Sequence, residues 1–190
     1  FGSALLKSEL VEKGIPILGI DNVHVERFVR DFSRFVTHKK AEELARYRVR
    51  PNDVMITIMG TVGRCCTVPP DIGEAISSKH VWTLTINQEQ YSPFLTCLQF
   101  NYAPWVLKHF QQDEQGGIMS AIRSDTLRTV LLPVPPMSEI KRIELHLSTF
   151  FQRIEIKEIR LEKLKLLKQS LMSDLLTGRV RVKLDSSEDA

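Results

Sequence analysis

SEIKRIELHLSTFFQRIEIKEIRLEKLKLLKQSLMSDLL, residues 138–176, is a run of about 39 residues without proline or glycine. Within it Ile140, Ile143, Leu147, Phe150, Ile154, Leu161, Leu164, Leu171 and Leu175 recur at alternating spacings of three and four. Lys157 and Lys168 occupy the two places where the repeat misses. Apolar residues at a mean spacing of about 3.5 lie along one side of a helix, and that side needs a partner. The stretch therefore predicts a long coiled-coil helix whose seam serves for dimerisation. Its flanks agree. Pro135 and Pro136 disfavour helix before it, Ser138 suits the N-cap, Glu139 meets the positive first turn, and Gly178 suits a left-handed stop. At 1.5 Å per residue the rod is about 58 Å long.

Working outward, the 190 residues hold one ordinary globular domain plus this appendage. The predicted division is a globular domain over 1–135, the long helix over 136–182 and a frayed polar tail over 183–190. A hydrophobic share of 43% with 26% charged residues describes a folded chain, not a disordered one. No apolar run approaches the roughly 18 residues of a membrane span, and the opening Phe1-Gly2-Ser3 begins no signal peptide. Three cysteines, Cys65, Cys66 and Cys97, lack the spacing of a disulfide scaffold or a zinc knuckle and fit a reducing cytoplasm. The net charge of +3 is too small for bulk attraction to nucleic acid, so any such contact needs a local patch.

The globular part reads as α/β and strand-rich. Ile15 to Ile20 begins as a strand, and Val23 to Val36 reads as one or two more, with Val25, Phe28, Phe32 and Phe35 facing inward. Thr37 caps a short helix from His38 to Tyr47 that turns Ala41, Leu44 and Ala45 to the core. Val54 to Met59 is the most strand-like segment; Arg64 to Val68 and Val81 to Ile86 follow it as strands. Two short helices start at Pro93 and Pro104. Gln115-Gly116-Gly117 is a loop, and Thr126 to Val134 alternates as a last strand.

Enzymatic readings find little support. Val134-Pro135-Pro136-Met137 shares only its prolines with an amino-methyltransferase motif, and no glycine-rich loop is placed for a nucleotide cofactor. Asp71 with Glu155 and Lys157 makes a nuclease set only by force, because the latter two belong to the solvated rod. The five histidines lie on at least four elements and form no metal-ligand pair. No catalytic residue, metal or cofactor is assigned.

Three stretches suit DNA contact. Gly60-Thr61-Val62-Gly63-Arg64 is a turn whose glycines, Gly60 and Gly63, could bring backbone N–H groups to a phosphate, with Thr61 and Arg64 alongside. Read plainly, it is a turn between strands. Ser77-Ser78-Lys79-His80 sets four hydrogen-bonding side chains in a row before a strand; its plain reading is a solvated loop. The third is the basic run Arg27, Arg30, Arg34, Lys39, Lys40, Arg46, Arg48 and Arg50, diluted by Asp31, Glu42 and Glu43. On the rod, Leu145, Ile159 and Leu166 lie opposite the seam, with Ile156 beside them and Phe151 on the flank, so a second surface must also cover the helix.

The segment 132–139, the heptad helix and the run Leu171-Met172-Ser173-Asp174-Leu175-Leu176-Thr177-Gly178-Arg179-Val180-Arg181-Val182 resemble the specificity subunit of type I restriction–modification systems. Residues 14–18, 48–53, 60–64 and 115–117 resemble its target recognition domain. The resemblance implies an α/β domain that reads one half of a bipartite double-stranded DNA target, followed by a spacer helix, with no catalysis of its own. It also implies docking to a methyltransferase subunit that uses S-adenosylmethionine and to a restriction subunit that uses ATP. One recognition unit in place of the family's two predicts a half-subunit or a fragment that pairs antiparallel with a second copy. The alternative is a coiled-coil interaction protein whose domain binds protein or RNA.

Overall fold

In the computed structural model, which describes residues 5–114 and 121–182, the strand VMIT at 54–57 is buried on every residue, and the rest of the domain is layered on its two faces. The strands in chain order are β1 (Ile15–Leu18), β2 (Val23–His24), β3 (Arg27–Phe28), β4 (Phe35–Val36), β5 (Val54–Thr57), β6 (Cys65–Thr67), β7 (Ile76–Ser77) and β8 (Val81–Leu84). The helices are α1 (His38–Glu43), α2 (Pro93–Tyr102), α3 (Pro104–Glu114), α4 (Ser124–Arg128) and α5 (Met137–Leu176). β5 is the centre of the antiparallel sheet β6-β5-β8, with Ile56 opposite Cys65 on one side and Trp82 on the other. A second sheet, β4-β1-β7, is mixed: β1 runs antiparallel to β4 and parallel to β7, while β2 and β3 form a separate hairpin.

Side chains alternate across a strand, so one face of β5 carries Val54 and Ile56 and the other carries Met55. The first pair joins Cys65, Cys97, Phe100, Val106 and Phe110 in a core between the sheet and the α2–α3 layer. Met55 joins Leu18, Val23, Val49, Cys66, Val68 and Val81 in a second core. A third gathers Ile15, Ile17, Val36, Ala41, Leu44 and Ile76 beneath α1. Full burial of one such side chain stabilises by about 1.5–3 kcal/mol, whereas an exposed ion pair gives about 1 kcal/mol at most. The cores, not the surface pairs, hold the domain.

Several expectations are met and several are corrected. Thr37 does cap α1, its Oγ1 accepting from the Lys40 N–H at 3.2 Å, and Ala41 and Leu44 are buried. The helix ends at Glu43, however, and Ala45–Tyr47 continues as a 3-10 turn that leaves Ala45 exposed. Val23 to Val36 forms three short strands, and Val25 is exposed at the tip of the β2–β3 hairpin. Thr126 to Val134 is not a strand: α4 takes its start, and the remainder is extended without a partner strand among the described residues. The loop 115–117 and the tail 183–190 lie outside the described residues.

The chain divides into two compact units, Phe1–Ile140 and Lys141–Ala190. The boundary falls inside α5, so the first turn of the helix counts with the globular unit. Met137 and Ser138 are both within that turn, and the carbonyl of Pro136 accepts from Glu139 N–H and Ile140 N–H, so Ser138 is not the cap. Ile140, expected in the dimerisation seam, is 1% exposed and is a core residue of the globular unit, which removes it from any surface offered to a partner. At the far end, Gly178 takes φ +72° and its N–H bonds the Leu175 carbonyl, stopping the helix in the left-handed conformation expected. Phe150, Ile154, Leu161, Leu164, Leu171 and Leu175 are each more than 40% exposed. So are Leu145, Ile156, Ile159 and Leu166 on the other faces. Among the described residues no helix is long and apolar enough to cross a membrane.

Candidate nucleic-acid interface

Ala45-Arg46-Tyr47-Arg48-Val49-Arg50 runs as a strap along the domain surface. From Arg48 to Arg50 it is extended, so Val49 turns inward at 2% exposure while Arg48 and Arg50 face solvent. The strap is fastened to the 75–77 segment. Val49 N–H donates to the Ala75 carbonyl at 2.9 Å, Arg48 bridges to Ile76, and Ser77 Oγ donates to the Tyr47 carbonyl at 3.2 Å. Its end is clamped by Asp53, which is 1% exposed. Asp53 Oδ2 accepts from Arg50 N–H and Oδ1 from Thr85 Oγ1, both at 2.7 Å, tying the strap to the chain just beyond β8.

Between the strap and β8 lies an open groove of about 660 Å³. Arg46, Arg48, Arg50 and Lys79 supply its charge, and Tyr47 and Trp82 its aromatic surface. Arg46 lies over the Tyr47 ring at 5.2 Å, a cation–π contact that holds the guanidinium at the rim. Among the described residues Asp53 is the one acid of the lining, and its oxygens are engaged by Arg50 and Thr85. Glu74 approaches Arg48 from outside at 3.8 Å, a weak exposed pair. The groove is therefore a basic, aromatic-walled channel, suited to a polyanion with flat groups.

Next to it, sharing Ser78 and Lys79, is a smaller pocket of about 150 Å³ lined by Arg34, His80, Lys7 and aliphatic residues including Ile17 and Leu10. His80 titrates below its ordinary value, because burial disfavours the imidazolium and Lys79 and Arg34 repel it.

The candidates named from sequence are thus sorted by the fold. Arg34, Lys79 and His80 converge. Ser77 and Ser78 only edge the groove wall: they are 6% and 7% exposed, Ser77 fastens the strap, and Ser78 N–H bonds the Leu18 carbonyl at 2.7 Å. The expected phosphate-cradling role of the glycine turn is also corrected at Gly63, whose N–H bonds the Thr57 carbonyl at 2.9 Å. Arg64 N–H bonds Thr57 Oγ1 at 3.0 Å, and that hydroxyl in turn bonds the Thr61 carbonyl, so the turn is folded around Thr57. Gly60 (φ +76°) and Gly63 (φ +85°) serve its left-handed corners.

Arg30 pairs with Asp71, and Lys40 with Glu9 at 2.8 Å and Glu43 at 3.1 Å, which uses those charges locally. Arg27 lies in the β2–β3 hairpin against β6, at the opposite edge of the β6-β5-β8 sheet from the groove. Tyr47, Trp82 and the clamp Asp53 were not identified from sequence; the signal available was the alternation of Arg46, Arg48 and Arg50 about Tyr47 and Val49. Among the described residues no cluster of three or more His, Cys, Asp or Glu could hold a metal ion. The three cysteines are free and buried, and burial raises the Cys65 and Cys66 thiols, leaving them unreactive.

A family model described as the type I restriction modification DNA specificity domain matches residues 2–166. This chain belongs to that family. Among curated relatives of the specificity-domain family, the putative type I restriction enzyme MjaX specificity subunit of Methanocaldococcus jannaschii is 28% identical over 137 residues. That match covers 71% of this chain and 30% of the relative. The MjaVIII specificity subunit of the same organism is 24% identical over 184 residues, covering 93% of this chain and 42% of the relative. The chain thus spans less than half the length of these relatives. Among solved structures, the HsdS subunit from Thermoanaerobacter tengcongensis superposes with a TM-score of 0.57 at 18% identity, over 90% of this chain and 40% of that one. A chain from a structure addressing complex assembly and conformational transition of the type I R-M system gives 0.59, with the same identity and coverage. These likenesses establish the mixed-sheet domain with its long C-terminal helix as the fold of the specificity subunits.

Proposed function

We propose that this chain is a non-catalytic DNA-recognition unit of a type I restriction–modification system, and that its globular domain reads one half of a bipartite duplex target. The observation that carries this is the channel between the 45–50 strap and β8, with Arg46, Arg48, Arg50 and Lys79 along it. Arginine at such a position holds phosphate oxygens or the paired acceptors of guanine, while Tyr47 and Trp82 offer flat apolar surface to sugars and bases.

The long helix is the spacer. Forty residues make a rod of about 60 Å, the length of roughly 17 base pairs. Its exposed seam needs an apolar partner, and an antiparallel second copy supplies one with two-fold symmetry. The apolar residues off the seam, Leu145, Ile156, Ile159 and Leu166, then face a methyltransferase subunit. S-adenosylmethionine belongs to that subunit, and ATP to the restriction subunit that joins the assembly in a cytoplasm.

Fluorescence anisotropy with duplex DNA selected from a random pool, in excess competitor DNA, tests the assignment of the groove. Replacing Arg46, Arg48 and Arg50 together with Ala is expected to abolish competitor-resistant binding and to lower the salt slope by roughly one for each phosphate no longer neutralised. Unchanged affinity in the triple variant, or tighter binding of RNA than of duplex DNA by the parent chain, would reject the reading.

A further inference from the structure

The small pocket beside the groove is chemically distinct from it. Arg34 enters from the segment before β4, Lys79 and His80 from the turn between β7 and β8, and Lys7 from the 3-10 turn Lys7–Glu9. Among the described residues no acid lines it. Asp21 reaches Arg34 only at 3.7 Å, with its own side chain 70% exposed, and Glu9, on the same turn as Lys7, is engaged by Lys40 at 2.8 Å. The positive charge is therefore largely uncompensated.

The fold also makes room for it. A Cβ added at Gly19 would stand 2.2 Å from Arg34 Nη2, so the absence of a side chain there lets the guanidinium lie across the end of β1. The turn is held from beneath: Ser78 N–H bonds the Leu18 carbonyl, and the His80 carbonyl accepts from Ile58 N–H at 3.0 Å. Lys79 lines both the groove and the pocket, so the two are adjoining along the surface.

We propose that the Arg34–Lys79–His80 pocket seats one backbone phosphodiester of the bound duplex, and that seating it draws a proton onto His80. The proposal rests on the DNA reading of the adjacent groove and adds to it a sequence-independent, pH-linked contact. In the free chain burial, Lys79 and Arg34 hold His80 neutral to lower pH than usual. A phosphate monoanion against the ring reverses the local field and raises its pKa in the complex. Protons are then taken up on binding, so affinity rises as pH falls between the bound and free values, by at most about tenfold per pH unit.

The test uses the full chain and its selected duplex, with anisotropy at several salt concentrations from pH 6 to 8. Arg34→Ala is expected to weaken all duplexes alike and to reduce the salt slope by about one. Gly19→Ala keeps every charge but shifts the flexible guanidinium, and should give a smaller loss in the same direction, with circular dichroism reporting an intact fold. His80→Gln should flatten the pH dependence. In NMR titrations the His80 ring protons should report a raised pKa with duplex bound. Inorganic phosphate at matched ionic strength, as a second arm, should raise it less. If the parent chain binds duplex in competitor but its pH profile is flat and Arg34→Ala keeps the salt slope, the pocket assignment is overturned and the groove stands. A larger shift with inorganic phosphate than with duplex overturns it too. Failure of the parent chain to bind duplex overturns both.

Discussion

At the scale of single residues, Asp53 fixes the end of the strap that carries the groove's arginines. It is almost fully buried, yet both carboxylate oxygens are satisfied, one by the Arg50 N–H and one by the Thr85 hydroxyl. Those two bonds set where the strap ends and hence where Arg50 points. Asp53→Ala removes two part-buried hydrogen bonds, each contributing about 0.5–1.5 kcal/mol net. Equilibrium urea unfolding should show a lower midpoint with an unchanged m-value, and a midpoint like the parent's would contradict the clamp. In the sequence Asp53 reads only as part of a turn after Pro51-Asn52, because nothing local reveals that Thr85 will arrive beside it. Ser77 and Ser78 teach the converse. A small hydroxyl is equally at home in water or on a buried carbonyl, so their residue type alone suggested exposure, and the strap's need for a fastening decided otherwise.

At the scale of elements, α5 is the most legible part of the chain, since periodicity and breakers act over few residues: the run without proline or glycine, 138–176, matches Met137–Leu176, while the helix expected over 136–182 stops six residues short. Its first seam residue was misassigned because a heptad records only that a position is apolar, not whether a second helix or the chain's own core covers it. Ile140 has the core. The segment after α4 shows a related ambiguity. Val130 and Leu132 pack against the core while Leu131 and Val134 are exposed at 83% and 67%, so the alternation is real. A strand also needs a hydrogen-bonding neighbour, and Pro133 offers no N–H to one. For the helix, Ile154→Glu with Leu161→Glu places four charges in a two-stranded seam. Sedimentation or light scattering should then report a monomer in place of the dimer proposed for the parent, while the domain keeps its thermal unfolding transition. An unchanged mass would remove the seam from the dimer interface.

At the scale of the whole molecule, three short-stranded sheets and one long helix make up the two units, for which the proposed roles are reader and ruler. The domain's fold rests on β5, which the sequence marks as its most strand-like segment but not as the centre of a sheet. The positions of the basic residues were far less legible. Eight lysines and arginines between Arg27 and Arg50 look equivalent in sequence. Long-range contacts divide them: Arg46, Arg48 and Arg50 at the groove, Arg34 at the pocket, Arg30 on Asp71, Lys40 on two glutamates and Arg27 at the far sheet edge. The ruler adds a constraint that neither unit has alone. In the proposed antiparallel dimer, two identical domains related by a two-fold axis across the rod would see two inverted copies of one half-site at one separation. Selection of bound duplexes from a random DNA pool by the unmodified chain measures this directly. An interrupted palindrome with a constant non-specific gap is expected, its outer limits within roughly 17 base pairs of rod length plus the two domains. A continuous site, or a single asymmetric half-site with no preferred partner spacing, would contradict it.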